Sequence, residues 1–534
     1  MHSLPPLSIG EQSFSELRKS GFLYVDKTKY LVDLIDGGSA YFLSRPRRFG
    51  KTLTVSTLES IFKGETQLFN GLYAERWLKR SDFSAFPVIP LSFGSVSAAI
   101  GIDKMRTQLK TRLLAIAKDN NLSLHETDPS EMFFQLVNKM KLKYNKNVVI
   151  LVDEYDHPML EFINDKEKAT DIRAEIQDFL SVIKGTYRDI EFTFITGITN
   201  FRNQGLNLVL DNLNDITLDK NYAAICGYTQ EELDKYFCRY IESLGKKKSL
   251  CDEVINNRIV ELYDGFSFDG DTHVYNPLTI NSLFKKQRFA NYWFGTATPT
   301  YIENYLLDKA KSPCDYIEYD VPYDVITSPQ EIEDVSPAIL LCQSGYLTLR
   351  TADDSDIFSI VYPNNEVANS ILRLASNNLF KSADNIAAKK KSFVDFFSKG
   401  DVANIIREFN DLLSQDIYDS YAMMTGEPVN HACYNRDILS TFICSTSWID
   451  VSKEVYGSHG RTDILAKLRL NGTEKIYVFE LKMLKDGSTP EVTLAEAKSQ
   501  IIRRKYTEAI FLYDRCCHSG LDCHRQGVTN HSAL

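Results

Sequence analysis

The chain has 534 residues, 43% of them hydrophobic and 25% charged, with a formal net charge of −10. That length predicts three or four domains with ample buried core, and the composition is that of a globular protein, not a disordered or fibrous one. The acidic balance excludes indiscriminate nucleic-acid binding by the whole surface, so a nucleic-acid groove would have to be a local basic patch on an acidic body.

The first strand signal is the apolar run Ala40 to Leu43, followed by Ser44-Arg45-Pro46-Arg47-Arg48-Phe49-Gly50-Lys51-Thr52 and then the helical pattern Leu53, Val55, Leu58, Ile61, Phe62. A strand, a tight turn with Gly-Lys-Thr and a helix describe a phosphate-binding loop. The backbone amides of the turn and the positive helix end would face a triphosphate, with Lys51 reaching its outer phosphates and Thr52 ligating Mg2+. The usual first glycine of such a loop is Arg45 here, and Pro46 pushes residue 45 toward extended geometry. The loop is therefore expected to enter differently and to use Arg45, Arg47 or Arg48 to supplement phosphate contacts. Candidate nucleotide-binding residues are Arg45, Arg47, Arg48, Phe49, Gly50, Lys51, Thr52 and Leu53. Taken alone the motif also fits a basic turn ahead of a core helix.

Further along, Pro87 to Phe93 is a short apolar strand signal, and Met105 to Ala117 and Met132 to Lys141 are helical. Val148 to Val152 is a β-branched run ending in Asp153-Glu154, as expected of a strand buried on both faces of a parallel sheet. Ligands of open α/β sheets lie at the carboxyl ends of strands, so Asp153 would hold the magnesium ion through water and Glu154 would orient the attacking water. Ile190 to Thr196 supplies a fourth strand, at whose end Thr196 or Asn200 is either a γ-phosphate sensor or an ordinary cap. These alternating units predict a parallel sheet with helices on both faces. An additional strand between the lysine strand and the acidic strand is the arrangement of ATPases with a catalytic glutamate.

The middle of the chain is less sharply marked. Thr229-Gln230-Glu231-Glu232 is a capping box opening a helix, and helical patterns continue through Leu262, Leu278 to Phe284 and Tyr301 to Leu306. Asp315 to Tyr362 reads as short strands, clearest at Ala338 to Cys342 and Gly345 to Leu349. From Ile371 to Leu413 the pattern is helical again, and Lys389-Lys390-Lys391 within it is read as a solvated face.

Near the carboxyl end Trp448 to Val455, Thr462 to Leu468 and Lys475 to Leu481 alternate as three consecutive strands carrying Glu454, Asp463 and Glu480-Leu481-Lys482. An Asp on one strand and Glu-x-Lys on its hairpin partner put two carboxylates and an ammonium on one face. Phosphodiester hydrolysis needs that set: Asp463 and Glu480 to hold Mg2+, and Lys482 to orient the hydroxide. Exposed cross-strand ion pairing gives the same spacing. A helix with Leu494, Ala497, Gln500 and Ile501 follows, and then Tyr506.

Tyr24-Val25-Asp26-Lys27-Thr28, the Arg45 to Thr52 loop, Phe62-Lys63-Gly64, Leu68 to Leu72, Val152 to Asp156, Asn212 to Thr217, Cys226-Gly227-Tyr228-Thr229 and Tyr275-Asn276-Pro277 together resemble the bacterial AAA-ATPase-like family that carries a PD-(D/E)XK nuclease domain behind it. The resemblance runs nearly to Tyr506. It makes Arg45 a family trait, and it implies ATP as ligand, nucleic acid, with DNA foremost, as the partner of the carboxyl-terminal domain, and contact of Asp26 or Lys27 with the nucleotide unless they form a surface turn. It also implies Asp463, Glu480 and Lys482 as catalytic, with Gln500, Tyr506 and, more weakly, Glu454 in support. Arg461 would touch a phosphate or pair with a neighbouring carboxylate. Such ATPases often form homo-oligomers with an arginine finger in trans.

The expected domains are an AAA-ATPase-like P-loop domain over 1–225, a helical lid or winged-helix-like middle region with short strands over 226–410, a restriction-endonuclease-like α/β domain over 411–515 and an atypical tail over 516–534. The tail's Cys516-Cys517-His518 and Cys523-His524 lack two Cys-x-x-Cys arms, so a frayed end is expected over a zinc site. No run of about eighteen uncharged apolar residues and no basic-then-apolar leader is present. Ten mostly isolated cysteines fit reduced thiols. A cytoplasmic protein without membrane contact is expected. Two functions are kept: nucleotide hydrolysis controlling a metal-dependent nuclease, or a nucleotide-binding switch or scaffold whose nuclease-like domain only binds nucleic acid.

Overall fold

The structure is a computed structural model that describes residues 4–80, 83–97, 101–162, 165–199, 213–293, 319–327, 336–351, 357–368, 370, 386–412, 439, 449–457, 460–470, 473–479 and 489–503. It divides into two compact units, Met1–Lys309 with Tyr316–Val367, and Ala310–Asp315 with Ala368–Leu534.

The first unit is built on a five-stranded sheet of β1 (Ala40–Ser44), β2 (Val88–Ser92), β3 (Val148–Asp153), β4 (Ile190–Gly197) and β5 (Asn214–Asp215), in the order β2-β3-β4-β1-β5. All its pairings are parallel. β3 is buried at every position, as its unbroken apolar run requires. The expected intervening strand is β4, which lies between the lysine-bearing β1 and the acidic β3. β1 leads into α1 (Lys51–Phe62), and α2 (Ile102–Asp119), α3 (Pro129–Tyr144) and α4 (Lys166–Gly185) provide the crossover helices. Their ends follow local chemistry. Asp128 caps α3 by accepting from the Ser130 and Glu131 amides ahead of Pro129.

The middle region belongs to the same unit. The capping box at Thr229 and Glu232 forms and opens α5 (Gln230–Lys248), which packs with α6 (Asp252–Tyr263) and α7 (Pro277–Lys286) around Phe237, Ile241, Ile259 and Phe284. A short hairpin of β6 (Phe266–Ser267) and β7 (His273–Val274) lies between α6 and α7. A second sheet has the order β8-β10-β9, formed by Tyr319–Pro322, Ile357–Val361 and Thr348–Thr351.

One expectation needs correction: Ala338 to Cys342 is not a strand but part of a helix, Pro337–Ser344. A short continuous apolar run does not distinguish a buried strand from a buried helix. Pro337 in the first turn and Gly345 at φ +85 beyond the end set the helix limits.

In the second unit α8 (Ile386–Lys399) and α9 (Val402–Leu412) accompany an antiparallel sheet of β11 (Ile449–Gly457), β12 (Gly460–Leu470) and β13 (Thr473–Phe479), with α10 (Pro490–Arg503) after it. Phe397 of α8 stacks edge-on against Tyr477 at 4.5 Å between ring centroids and accepts the Tyr477 hydroxyl proton at its carbonyl. Residues 386–412 therefore group with the carboxyl-terminal sheet and not with the middle region.

A buried carboxylate joins the middle elements. Glu366 accepts from the backbone amides of Tyr292 and Trp293 and, at 3.0 Å, from the Thr279 hydroxyl. Burial pushes its carboxyl up to about 7, against the pull of those donors. Because the folded form holds the proton more tightly than the unfolded chain, the contribution of this group to stability is fully present in acid and is lost as pH rises from about 4.5 to 7. Glu366→Gln abolishes this slope. Between pH 4.5 and 7.5, urea titrations should show the variant gaining up to about 3 kcal/mol on the wild type; parallel curves would refute the buried titration.

Candidate functional site

The site lies where β1 and β3 end. β1 stops at Ser44, whose amide is bonded to the Thr217 hydroxyl, and the chain turns through Arg45–Gly50 into α1. The turn needs left-handed backbone at Arg48 (φ 68) and at Gly50 (φ 104). Glycine adopts that conformation freely, whereas arginine does so at a cost that its surroundings must offset.

Lys51 opens α1 and is 4% exposed. Its ammonium donates to the carbonyls of Arg45 at 2.8 Å and Pro46 at 3.0 Å. Burial lowers its pKa, while the carboxylates of Glu154, Asp153 and Asp156 oppose the shift. Thr52 donates to Asp153 Oδ2 at 2.7 Å, and Thr196 of β4 donates to Asp153 Oδ1 at 2.7 Å. Desolvation raises the Asp153 pKa, and the two hydroxyl donors and the Lys51 charge act against it. Thr52, Asp153, Thr196 and Lys51, drawn from two strand ends and one helix, are thus brought together.

Glu154 follows at φ 55, the left-handed turn that ends β3. Its carboxylate lies over Gly94, where a Cβ would stand 2.1 Å from Oε2. A side chain at position 94 would displace the Glu154 carboxylate. Sequence reasoning missed Gly94, and it gave Asp156 no role. Asp156 is fully buried, and its Oδ2 accepts from the Ile198 amide at 2.9 Å, the Thr199 amide at 2.7 Å and the Thr199 hydroxyl at 2.6 Å. It fixes the loop that leaves β4. The signal was present as a third acid one residue beyond the Asp-Glu pair.

Arg48, Gly50, Lys51, Thr52, Leu53 and Glu154 face a cleft of about 280 Å³. Its far wall comes from residues 8–12, 23–25 and 225–228 and from Pro277, Leu278 and Asn281. Arg47 and Phe49 also border it, although the Phe49 ring packs between Phe266 and Phe268 at 4.9 and 5.4 Å. Lys27 borders it too, with its amine on the Ala224 carbonyl at 2.8 Å and Glu232 at 2.5 Å. The Asp26 carboxylate accepts from the amides of Thr28 and Tyr73.

Arg45 takes a different position from the one its charge suggests. It is 1% exposed, and its guanidinium donates to the carbonyls of Ser44 and Thr217 at 2.8 Å and of Tyr222 at 3.1 Å, 4.1 Å from the Phe268 ring centre. Burial lowers its pKa to about 10. The guanidinium is spent on loop carbonyls and is not among the groups lining the cleft.

Of the second candidate site, Asp463 and Glu454 stand in β12 and β11, between the paired positions Lys453–Ile464 and Val455–Thr462, so they are cross-strand neighbours. Gln500 lies in α10. Glu480, Lys482, Tyr506 and, in the first site, Asn200 lie outside the described residues. So does the Cys/His tail. Among the described residues no group of three metal-ligating side chains occurs, and no helix is long and apolar enough to cross a membrane.

Two family models match the chain: one described as "Predicted AAA-ATPase" over residues 8–207, and the PD-(D/E)XK nuclease superfamily over residues 434–517. A protein of Azotobacter chroococcum mcd 1 described as "Uncharacterized protein in vnfD 5'region" is 30% identical over 491 residues, which cover 90% of this chain and 89% of that one. No solved structure matches.

The Arg45 geometry has a measurable consequence. Arg45→Ala leaves two distant carbonyls without their donor and opens a void beside Phe268, so unfolding should require about 3 kcal/mol less. Arg45→Lys should recover less than half of that, because a lysine cannot serve three carbonyls spread over a planar fork. A variant as stable as the wild type in denaturant titration would contradict an anchoring role.

Proposed function

Because the chain belongs to the AAA-ATPase-like proteins with a carboxyl-terminal PD-(D/E)XK nuclease superfamily domain, we propose that its first unit binds and hydrolyses ATP and that nucleotide state controls a Mg2+-dependent cleavage of DNA by the second. The observation that carries the first half is the contact between Thr52 and Asp153 at 2.7 Å beside the buried Lys51. A hydroxyl and a carboxylate oxygen at the mouth of a phosphate-binding turn are the hard donors a magnesium ion takes. Thr52 and Asp153 would hold that ion, which when bound supplies charge to the β- and γ-phosphate oxygens.

The chain's own groups supply the rest. Lys51 exchanges its loop carbonyls for phosphate oxygens. The amides of the turn and the first turn of α1 point toward the same place. Glu154, turned out of β3 and placed over Gly94, faces the cleft as the group to orient a water on the γ-phosphate. Thr196 holds Asp153 and links that carboxylate to the end of β4. Catalysis of this kind is held geometry and charge, with little covalent work for the protein.

For the second unit the reading rests on the family match and on the expected set Asp463, Glu480 and Lys482, with Gln500, Tyr506 and Glu454 in support. Three consecutive antiparallel strands followed by a helix support that reading.

Lys51→Ala should reduce ATP turnover at least about 100-fold, and Glu154→Gln should reduce it as far while leaving ATP bound. Lys482→Ala should abolish magnesium-dependent DNA cleavage with ATP turnover intact. Coupling appears as loss of cleavage in Lys51→Ala. Wild-type protein that turns over ATP yet never cuts DNA would leave a nucleotide switch; protein that does neither would end the enzymatic reading.

A further inference from the structure

The carbonyls of the phosphate-binding turn are held one after another by the middle region. The Arg47 carbonyl accepts from the Trp293 indole at 3.3 Å, the Arg48 carbonyl from the Asn276 side-chain amide at 3.3 Å, and the Phe49 carbonyl from the Gly227 backbone amide at 3.2 Å. These donors come from separate places in the sequence: a loop before α5, the cap of α7 and the segment after it. Asn276 is 1% exposed and Trp293 fully buried, so neither bond competes with bulk water.

The amide orientation of Asn276 is fixed by its second task. Its Oδ1 accepts from the Thr279 amide at 3.1 Å as the cap of α7, which leaves Nδ2 for the Arg48 carbonyl. Arg48 is the non-glycine residue of the turn forced to φ 68. A bulky residue keeps that conformation only where the surroundings over-determine it.

We infer that Asn276 and Trp293 are positioning residues for the phosphate-binding turn: by holding the carbonyls of Arg48 and Arg47 they impose on an arginine-rich loop the backbone that glycine otherwise permits, and so keep its amides aimed at phosphate. This rests on the ATP reading of the cleft for its ligand, but the loop geometry stands apart from that reading. It also ties the occupancy of the cleft to the middle region, since the turn cannot relax without disturbing the cap of α7.

Asn276→Asp separates the two tasks, because aspartate keeps the cap acceptor and loses the donor. In the full-length protein without nucleotide, amide hydrogen exchange over residues 46–50 should quicken in Asn276→Asp and in Trp293→Phe. The dissociation constant for Mg·ATP should rise about tenfold in Asn276→Asp, the scale of one lost preorganising contact. In an Arg48→Gly background the same substitution should cost nothing, because glycine needs no external support at φ 68.

Unchanged exchange over the turn overturns the inference whatever the ligand. So does a loss of affinity that persists in Arg48→Gly, which would mean only a charge acting on bound phosphate. Wild-type protein that binds no Mg·ATP while the exchange prediction holds would sink the ATP reading and leave the loop clamp standing.

Discussion

A buried ammonium dictates the layout of the first unit. Lys51 lies inside at 4% exposure, and a cation there is tolerable only with acceptors on every side. Two come from its own loop, as the carbonyls of Arg45 and Pro46. The remainder is the negative field of Asp153, Glu154 and Asp156 at the end of β3. β3 and β1 must then end level with each other, and β4 between them must be uncharged where it passes. Its Thr193, Phe194, Ile195 and Thr196 meet that demand, and the two threonines keep their polarity to a hydroxyl. The sheet order β2-β3-β4-β1-β5 is what brings the lysine and the acids to one edge.

The same constraint explains why the loop is so heavily anchored. A turn that wraps a lysine with its own carbonyls and also passes through left-handed backbone at Arg48 has little intrinsic preference for that shape. Arg45 spends a full guanidinium on Ser44, Thr217 and Tyr222, and the Phe49 ring is sunk between Phe266 and Phe268. Pro46 packs where a Cβ on Gly345 would stand 2.8 Å from it. The first glycine of the usual motif is replaced by tertiary contacts, so flexibility is traded for a loop whose shape depends on the middle region being folded.

This division decides what could be read from the sequence. β1, β2, β3 and β4 were legible because apolar runs with β-branched residues and flanking turns are local signals, and the Gly-Lys-Thr and Asp-Glu pairs stand beside them. The capping box at Thr229 and Glu232 was equally local. β5 was not, since two residues, Asn214 and Asp215, carry no period and become a strand only by pairing with Tyr41 and Phe42. Ala338 to Cys342, inside the helix over Pro337–Ser344, was read as a strand because a short all-apolar run has no face to reveal its period. Charge alone assigned Arg45 to phosphate, and two of the three carbonyls it holds lie more than 170 residues away. Lys27 is similar, with its amine committed to Ala224 and Glu232.

The three acids after β3 illustrate how position divides one kind of side chain among different tasks. Asp153 ends the strand with both oxygens taken by hydroxyls, from Thr52 and Thr196, which are groups that can turn away without leaving a charge unpaired. Asp156 holds backbone amides, at Ile198 and Thr199, which cannot turn away, so its role is to fix the β4 exit. Glu154 alone is thrown outward by its positive φ and is only partly buried, with its carboxylate over Gly94. An acid meant to act on a substrate must be able to reach it and to exchange protons with its surroundings, and of the three only Glu154 borders the cleft. The backbone at the strand end, and not the residue type, thus separates the two carboxylates engaged by hydroxyls and amides from the one that faces the cleft.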